Sequence, residues 1–149
     1  MILGMCNPIS SDPGDALEPH TANGAGERLW KILCEVHPVS REEYVARFDL
    51  MNIVQRRDWS TIEAKTRATE IRSAVAWRPT VILGRQVWSA LGLHHTAWFG
   101  KIGHWWLAPH PSGRNPLYND PEIRQKTGEL LATLGGWRKM NLMKLVALR

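Results

Sequence analysis

Between Ile71 and Asn119 the chain carries no aspartate and no glutamate. The same stretch holds Arg72, Arg78, Arg85, Lys101 and Arg114, with His94, His95, His104 and His110. Cysteine is almost as scarce. Cys6 and Cys34 form no CxxC pair, which excludes a disulfide scaffold, a four-cysteine zinc site and an iron–sulfur cluster. No apolar run reaches membrane-spanning length, and Met1–Gly4 is too short and uncharged for a secretory signal. An intracellular, monomeric protein is expected. Neither GxGxxG nor GxxxxGK[ST] occurs, and no acidic metal pair is evident, which argues against a nucleotide-binding or phosphotransfer α/β protein. There is no internal repeat and no low-complexity tract.

What remains is one domain's worth of sequence, residues 1–149, with 44% hydrophobic and 22% charged residues. The net charge of +5 is unevenly spread. Residues 1–70 hold 11 acids and 8 bases; residues 120–149 hold 3 acids and 6 bases. A carboxylate-free surface suits a polyanion such as nucleic acid. The plainer explanation is that the acid-free stretch contains two buried strands, which exclude acids anyway.

Strands are expected at Met1–Met5, Phe48–Val54, Thr80–Leu83 and His104–Ala108. They are short and apolar instead of alternating in polarity, the mark of a parallel sheet covered on both faces. Helices are expected at Glu27–Glu35, from Ser60 to about Trp77, at Arg85–Leu91 and from Asp120 to Gly135. Ser60-Thr61-Ile62-Glu63 reads as a capping box, and Asp120-Pro121-Glu122 as a strong helix start. A basic terminal helix carrying Arg138, Lys139, Lys144 and Arg149 is expected to follow, as a solvated face. Residues 7–26 read as a long loop, uncommon inside a compact domain unless functional. Of the eight tryptophans, Trp30, Trp77, Trp88 and Trp106 are assigned to the core, Trp98 and Trp105 less firmly. The fold class is α/β, a three-layer α/β/α sandwich around a mostly parallel four-stranded sheet.

In such sheets ligands bind beyond the carboxyl ends of the strands. Asn7-Pro8, Asn52 and the segment His110-Pro111-Ser112-Gly113-Arg114-Asn115 all lie at or past such ends. They are expected to converge on one site although about a hundred residues separate the first from the last.

The segments "LGMCNP" and "HPSGRN" resemble the two signature motifs of the uracil-DNA glycosylase superfamily, closest to its mismatch-specific uracil/thymine and single-strand-selective types. "ANGAGERLWKIL" is similar to that family's helix after the first loop, "FDLMNIV" to its middle strand, and "PTVILGRQVWSALG" to its strand-Gly-helix unit. The likeness runs from about Leu3 to Leu134, with the late motif the more specific.

The resemblance implies a monofunctional DNA glycosylase working on single- or double-stranded DNA without metal or cofactor. Asn7 would orient the attacking water, and a carboxamide positions a water without deprotonating it. His110 would donate a hydrogen bond to a carbonyl oxygen of the departing pyrimidine; its plainer role is to cap a strand end. Asn52 would pair with both the N3–H and O4 of uracil, or else serve as a strand-end turn residue. Ser112, Gly113 and Asn115 belong to the DNA-contacting loop, with Ser112 and the amides about Gly113 holding a phosphate. Arg114 would be the wedge that braces the gap left by a flipped base. His20 lies near where the family stacks an aromatic on that base, though a surface histidine is the commoner reading. Met5 occupies the place of a family glycine and Ile9 follows the proline where glycine is common, so both are expected to reshape the base pocket, with Cys6 beside them; Gly4 would serve instead if the turn has one extra residue. A catalytically weak module that recognises damaged or modified DNA on the same fold is the alternative. Cys6 as a nucleophile is disfavoured, because no local base accompanies it.

Overall fold

The computed structural model describes residues 1–8 and 10–137. Ile9 and the basic tail with Arg138, Lys139, Lys144 and Arg149 lie outside the described residues.

The chain folds as α/β around a five-stranded, mostly parallel sheet. Strands β1 (Ile2–Gly4), β2 (Leu50–Asn52), β3 (Thr80–Leu83), β4 (Lys101–Ile102) and β5 (Trp105–Ala108) take the order β2-β1-β3-β5-β4. The four strands expected from the sequence are parallel to one another, with Gly4 opposite Asn52 and Leu83 opposite Ala108. The fifth corrects that count. Lys101–Ile102 pairs antiparallel to β5, with Ile102 opposite Trp105. A two-residue turn, Gly103-His104, joins them, and Gly103 has φ +58, the left-handed conformation that glycine supplies in tight hairpins. A two-residue strand has too little pattern to read, and His104 belongs to the turn instead of to β5.

Helices are α1 (Ala25–Val36), α2 (Arg41–Arg47), α3 (Thr61–Val75), α4 (Arg85–Ala90) and α5 (Pro121–Leu134). Alternation along each strand feeds two apolar clusters. Ile2, Val81, Leu83, Trp106 and Ala108 join Leu29 and Leu33 of α1, Tyr44 of α2 and Leu130 and Leu131 of α5. Leu3, Ile82, Trp105 and Leu107 join Ala64, Ala68 and Ile71 of α3 and Val87 and Trp88 of α4.

Helix α2 is missing from the sequence expectation, yet its start is written there. Ser40 Oγ accepts from Glu43 N at 3.0 Å and Glu43 Oε2 accepts from Ser40 N at 2.8 Å, a complete capping box. Helix α1 begins two residues before the expected Glu27. Its first turn lies directly on the backbone of Leu17, so that a Cβ at Gly26 would stand 2.0 Å from the Leu17 carbonyl oxygen. Trp77 corrects another expectation: it follows α3 and is 85% exposed, while Trp88, Trp105 and Trp106 are buried and Trp30 and Trp98 half-buried. Among the described residues, no helix is long and apolar enough to cross a membrane.

The acid-free stretch owes its composition to the fold. Every residue of β3 and β5 is buried. Arg72 donates to Leu91 O at 2.8 Å, Arg78 pairs with Asp49, Arg85 donates to Thr96 O and stacks 4.3 Å from the Trp98 ring, and Lys101 sits 4.5 Å from the Trp106 ring. Four of its five cations therefore serve the protein's own groups; Arg114 stands exposed beside the site described next.

Candidate active site

The order of the strands creates a place for a ligand. From β1 the chain crosses to β2 on one side, and from β3 to β5 on the other, so the loops after β1 and β3 diverge and open a crevice at their carboxyl ends. A cavity of about 490 Å³ lies there. Asn7 enters it after β1, Asn52 from the last position of β2, and His110, Ser112, Gly113 and Arg114 after β5. Cys6 lines it too, half-buried; burial first, then the charge of Asp58, raises its thiol pKa, so it is protonated at neutral pH.

Asn7 donates from Nδ2 to the carbonyl oxygen of Asp15 at 3.2 Å, which ties the start of the long loop to a short 3-10 turn at Pro13–Asp15. Farther along, Leu17 adopts φ +56 and Asn23 φ +59, and both line the cavity. Left-handed backbone at a non-glycine residue is costly and survives where the surroundings enforce it.

Asn52 is 7% exposed. Its backbone carbonyl accepts from Arg67 at 3.3 Å, but its side-chain Oδ1 is buried without a hydrogen-bond partner. An orphaned buried acceptor costs about 1–3 kcal/mol. The residue itself lines the cavity.

The loop after β5 is held through its own backbone. Three successive carbonyls are each taken by a different side chain. Tyr118 Oη donates to Pro109 O at 2.7 Å, Asn115 Nδ2 to His110 O at 2.8 Å, and Arg28 Nη1 to Pro111 O at 3.3 Å. Gly84 makes room beside them: it has φ +90, and a Cβ there would lie 3.2 Å from His110 Cβ. Burial first, then the Arg28 guanidinium, pull the His110 imidazole down to about 4, so it is neutral at pH 7.

Three residues expected at the site do not line the cavity. Met5, the residue after β1, packs against the apolar cluster that holds Leu3 and Val87. His20 stands exposed and pairs with Glu18 at 3.5 Å. Asn115 spends its carboxamide inside the loop, donating to His110 O and accepting from Leu117 N at 3.1 Å as the cap of a 3-10 turn, Pro116–Asn119.

The sequence reading missed Arg28, Asp15, Glu18 and Leu17, all of which line the cavity. Arg28 had a signal, since it lies inside "ANGAGERLWKIL"; the others sit in a loop without periodicity. Among the described residues no tryptophan, tyrosine or phenylalanine lines the cavity, and no group of three or more His, Cys, Asp or Glu is placed to hold a metal.

Comparison with family models, with curated proteins and with solved structures finds no match to this chain.

Proposed function

We propose that the protein is a monofunctional DNA glycosylase that takes a flipped uracil, or a related modified or mismatched pyrimidine, into the cavity and hydrolyses its bond to the sugar. The observation that carries this reading is that Asn7, Asn52 and His110, distant in sequence, line one cavity at the carboxyl ends of three parallel strands. The two separate apolar clusters support a three-layer α/β/α sandwich as the frame.

Each residue type matches one demand of the reaction. Breaking the base–sugar bond leaves positive charge on the sugar and negative charge on the base. Asn7 orients a water toward the anomeric carbon; its oxygen forms the new bond while the glycosidic electron pair leaves with the base. Asn52 offers its unpaired Oδ1 to the N3–H of uracil. Cytosine has no proton at that nitrogen and would leave the acceptor unpaired. His110, neutral at pH 7, donates to a carbonyl oxygen of the leaving base. Ser112, Gly113 and exposed Arg114 on the rim meet the DNA backbone and the gap in the stack.

The test is an abasic-site assay with excess protein and labelled oligonucleotides. Each would carry one uracil, hydroxymethyluracil or thymine, single-stranded or opposite guanine or adenine. Alkali-labile cleavage by the wild type, abolished in Asn7→Ala and His110→Ala, is expected. Tight, salt-sensitive DNA binding with no cleavage across the panel would replace this reading with that of a binding module.

A further inference from the structure

We infer that Arg28 is a catalytic residue of this site: its guanidinium meets the anionic oxygen of the departing base beside His110. The inference rests on the glycosylase reading above and adds to it the charged group that His110 cannot supply.

Arg28 reaches the cavity from the first turn of α1. One of its five N–H donors goes to Pro111 O. Among the described residues no carboxylate forms an ion pair with it, although Asp15 and Glu18 line the same cavity. A part-buried cation without a counter-charge is held at a cost unless an anion is to arrive. The fit is close: a Cβ at Gly113 would lie 2.5 Å from Nη2 and 2.8 Å from Nη1. Glycine at 113 therefore lets the guanidinium lie against the loop that carries His110.

Two sources of anionic oxygen exist, the leaving base and the DNA backbone. Placement favours the base. Arg114 is exposed at the rim where a phosphate would pass, while Arg28 is part-buried and close enough to His110 to lower its pKa. As the bond breaks, its electron pair passes to the ring nitrogen and spreads to the carbonyl oxygens. Water supplies oxygen to the sugar, and its proton ends on the base anion or in solvent. A neutral imidazole donates a hydrogen bond to that anion; the guanidinium adds charge.

The experiment is single-turnover excision of uracil and of 5-fluorouracil, whose ring anion leaves more readily, by wild type, Arg28→Gln, Arg28→Lys and Gly113→Ala. Arg28→Gln is expected to lose roughly 100-fold on uracil and clearly less on 5-fluorouracil. Arg28→Lys should fall between, while DNA affinity and its salt dependence stay at wild-type values. Gly113→Ala keeps every charge and displaces the guanidinium end, so it should follow the same leaving-group pattern even if Arg28→Gln fails to fold, and DNA affinity measured alongside separates any effect on phosphate contact. Equal losses on both bases, with a salt slope lower by about one unit, would overturn the inference in favour of a phosphate clamp. Wild-type rates in the variants would overturn it outright. A wild type that cleaves neither base overturns this inference, and one that cleaves no base of the wider panel overturns the glycosylase reading itself.

Discussion

Gly4, at the end of β1, lies directly under the Asn52 side chain: a Cβ at position 4 would stand 2.4 Å from Asn52 Oδ1 and 3.1 Å from a Leu17 methyl group. Gly4 and Asn52 are register partners in neighbouring strands. The glycine thus leaves room for the Asn52 carboxamide and the Leu17 side chain, and both residues line the cavity. Gly4→Ala is expected to push Asn52 and Leu17 outward, at about 1–3 kcal/mol of stability for an overpacked core. Base excision should fall much further than that loss explains. Chemical denaturation alongside the abasic-site assay separates the two, and a variant as active as the wild type would remove Gly4 from the site.

Asn52 itself makes a second test. Because Oδ1 is buried and unpartnered, the folded protein bears its desolvation without return. Asn52→Leu, of similar shape, relieves that cost, so stability should hold or rise by about 1 kcal/mol while excision disappears. A shift in denaturation midpoint toward lower denaturant would show that the side chain is structural.

The pH dependence follows from His110. Its folded-state pKa of about 4 lies below the ordinary 6.5. The unfolded chain therefore binds a proton between those values that the folded chain refuses, and stability must drop as pH falls from 6.5 toward 4. His110→Gln should flatten that part of the curve, which thermal melts at several pH values will read. Burial and Arg28 from α1 oppose protonation; Arg114 from its own loop and Asp15 and Glu18 from the first loop are the other charged residues that line the cavity. For activity, a histidine that acts while neutral gives no acid limb near 6.5; the excision rate should remain level down to about pH 5.

The four parallel strands and most helix starts are legible in the sequence because they depend on local chemistry. Thr80–Leu83 agrees at both ends, and Asp120 caps α5 by accepting from Glu122 N at 2.8 Å. The convergence of Asn7, Asn52 and His110 followed from the rule for parallel sheets, which needs only strand ends. What escaped depends on distant partners. Arg28 gains its meaning from Pro111 and Gly113, more than eighty residues away. Asn115 looks like a DNA contact in sequence, but its partners are the loop's own carbonyl and amide. Met5 stands where the family has a glycine, yet it packs with Leu3 and Val87, and Gly4 is the residue that lies against Asn52 and Leu17.

Tryptophan shows the same limit, and it can be measured. Trp77 and Trp88 were both assigned to the core, but only Trp88 is buried, donating from Nε1 to His94 O at 2.7 Å. Trp88→Ala should cost about 3–5 kcal/mol, and Trp77→Ala should stay within about 0.5 kcal/mol of wild type in the same denaturation series.

The carbonyls of Pro109, His110 and Pro111 are each held by a separate side chain. If these anchors set the angle of His110, removing one should weaken catalysis more than binding. Tyr118 is the cleanest to remove. Its hydroxyl donates to Pro109 O and is within 3.4 Å of Thr127 Oγ1, which also bonds Ile123 O within α5. Burial raises the phenol's pKa far above neutrality, so it is a donor throughout the working range. Tyr118→Phe keeps the ring and leaves Pro109 O without that donor, a stability loss of about 1 kcal/mol. Since a misplacement on the order of 1 Å can cost about 100-fold in rate, the rate at saturating enzyme should fall by more than that stability loss predicts, with DNA affinity unchanged. Equal falls in rate and affinity would mean that the loop is a binding surface whose precise angle does not matter.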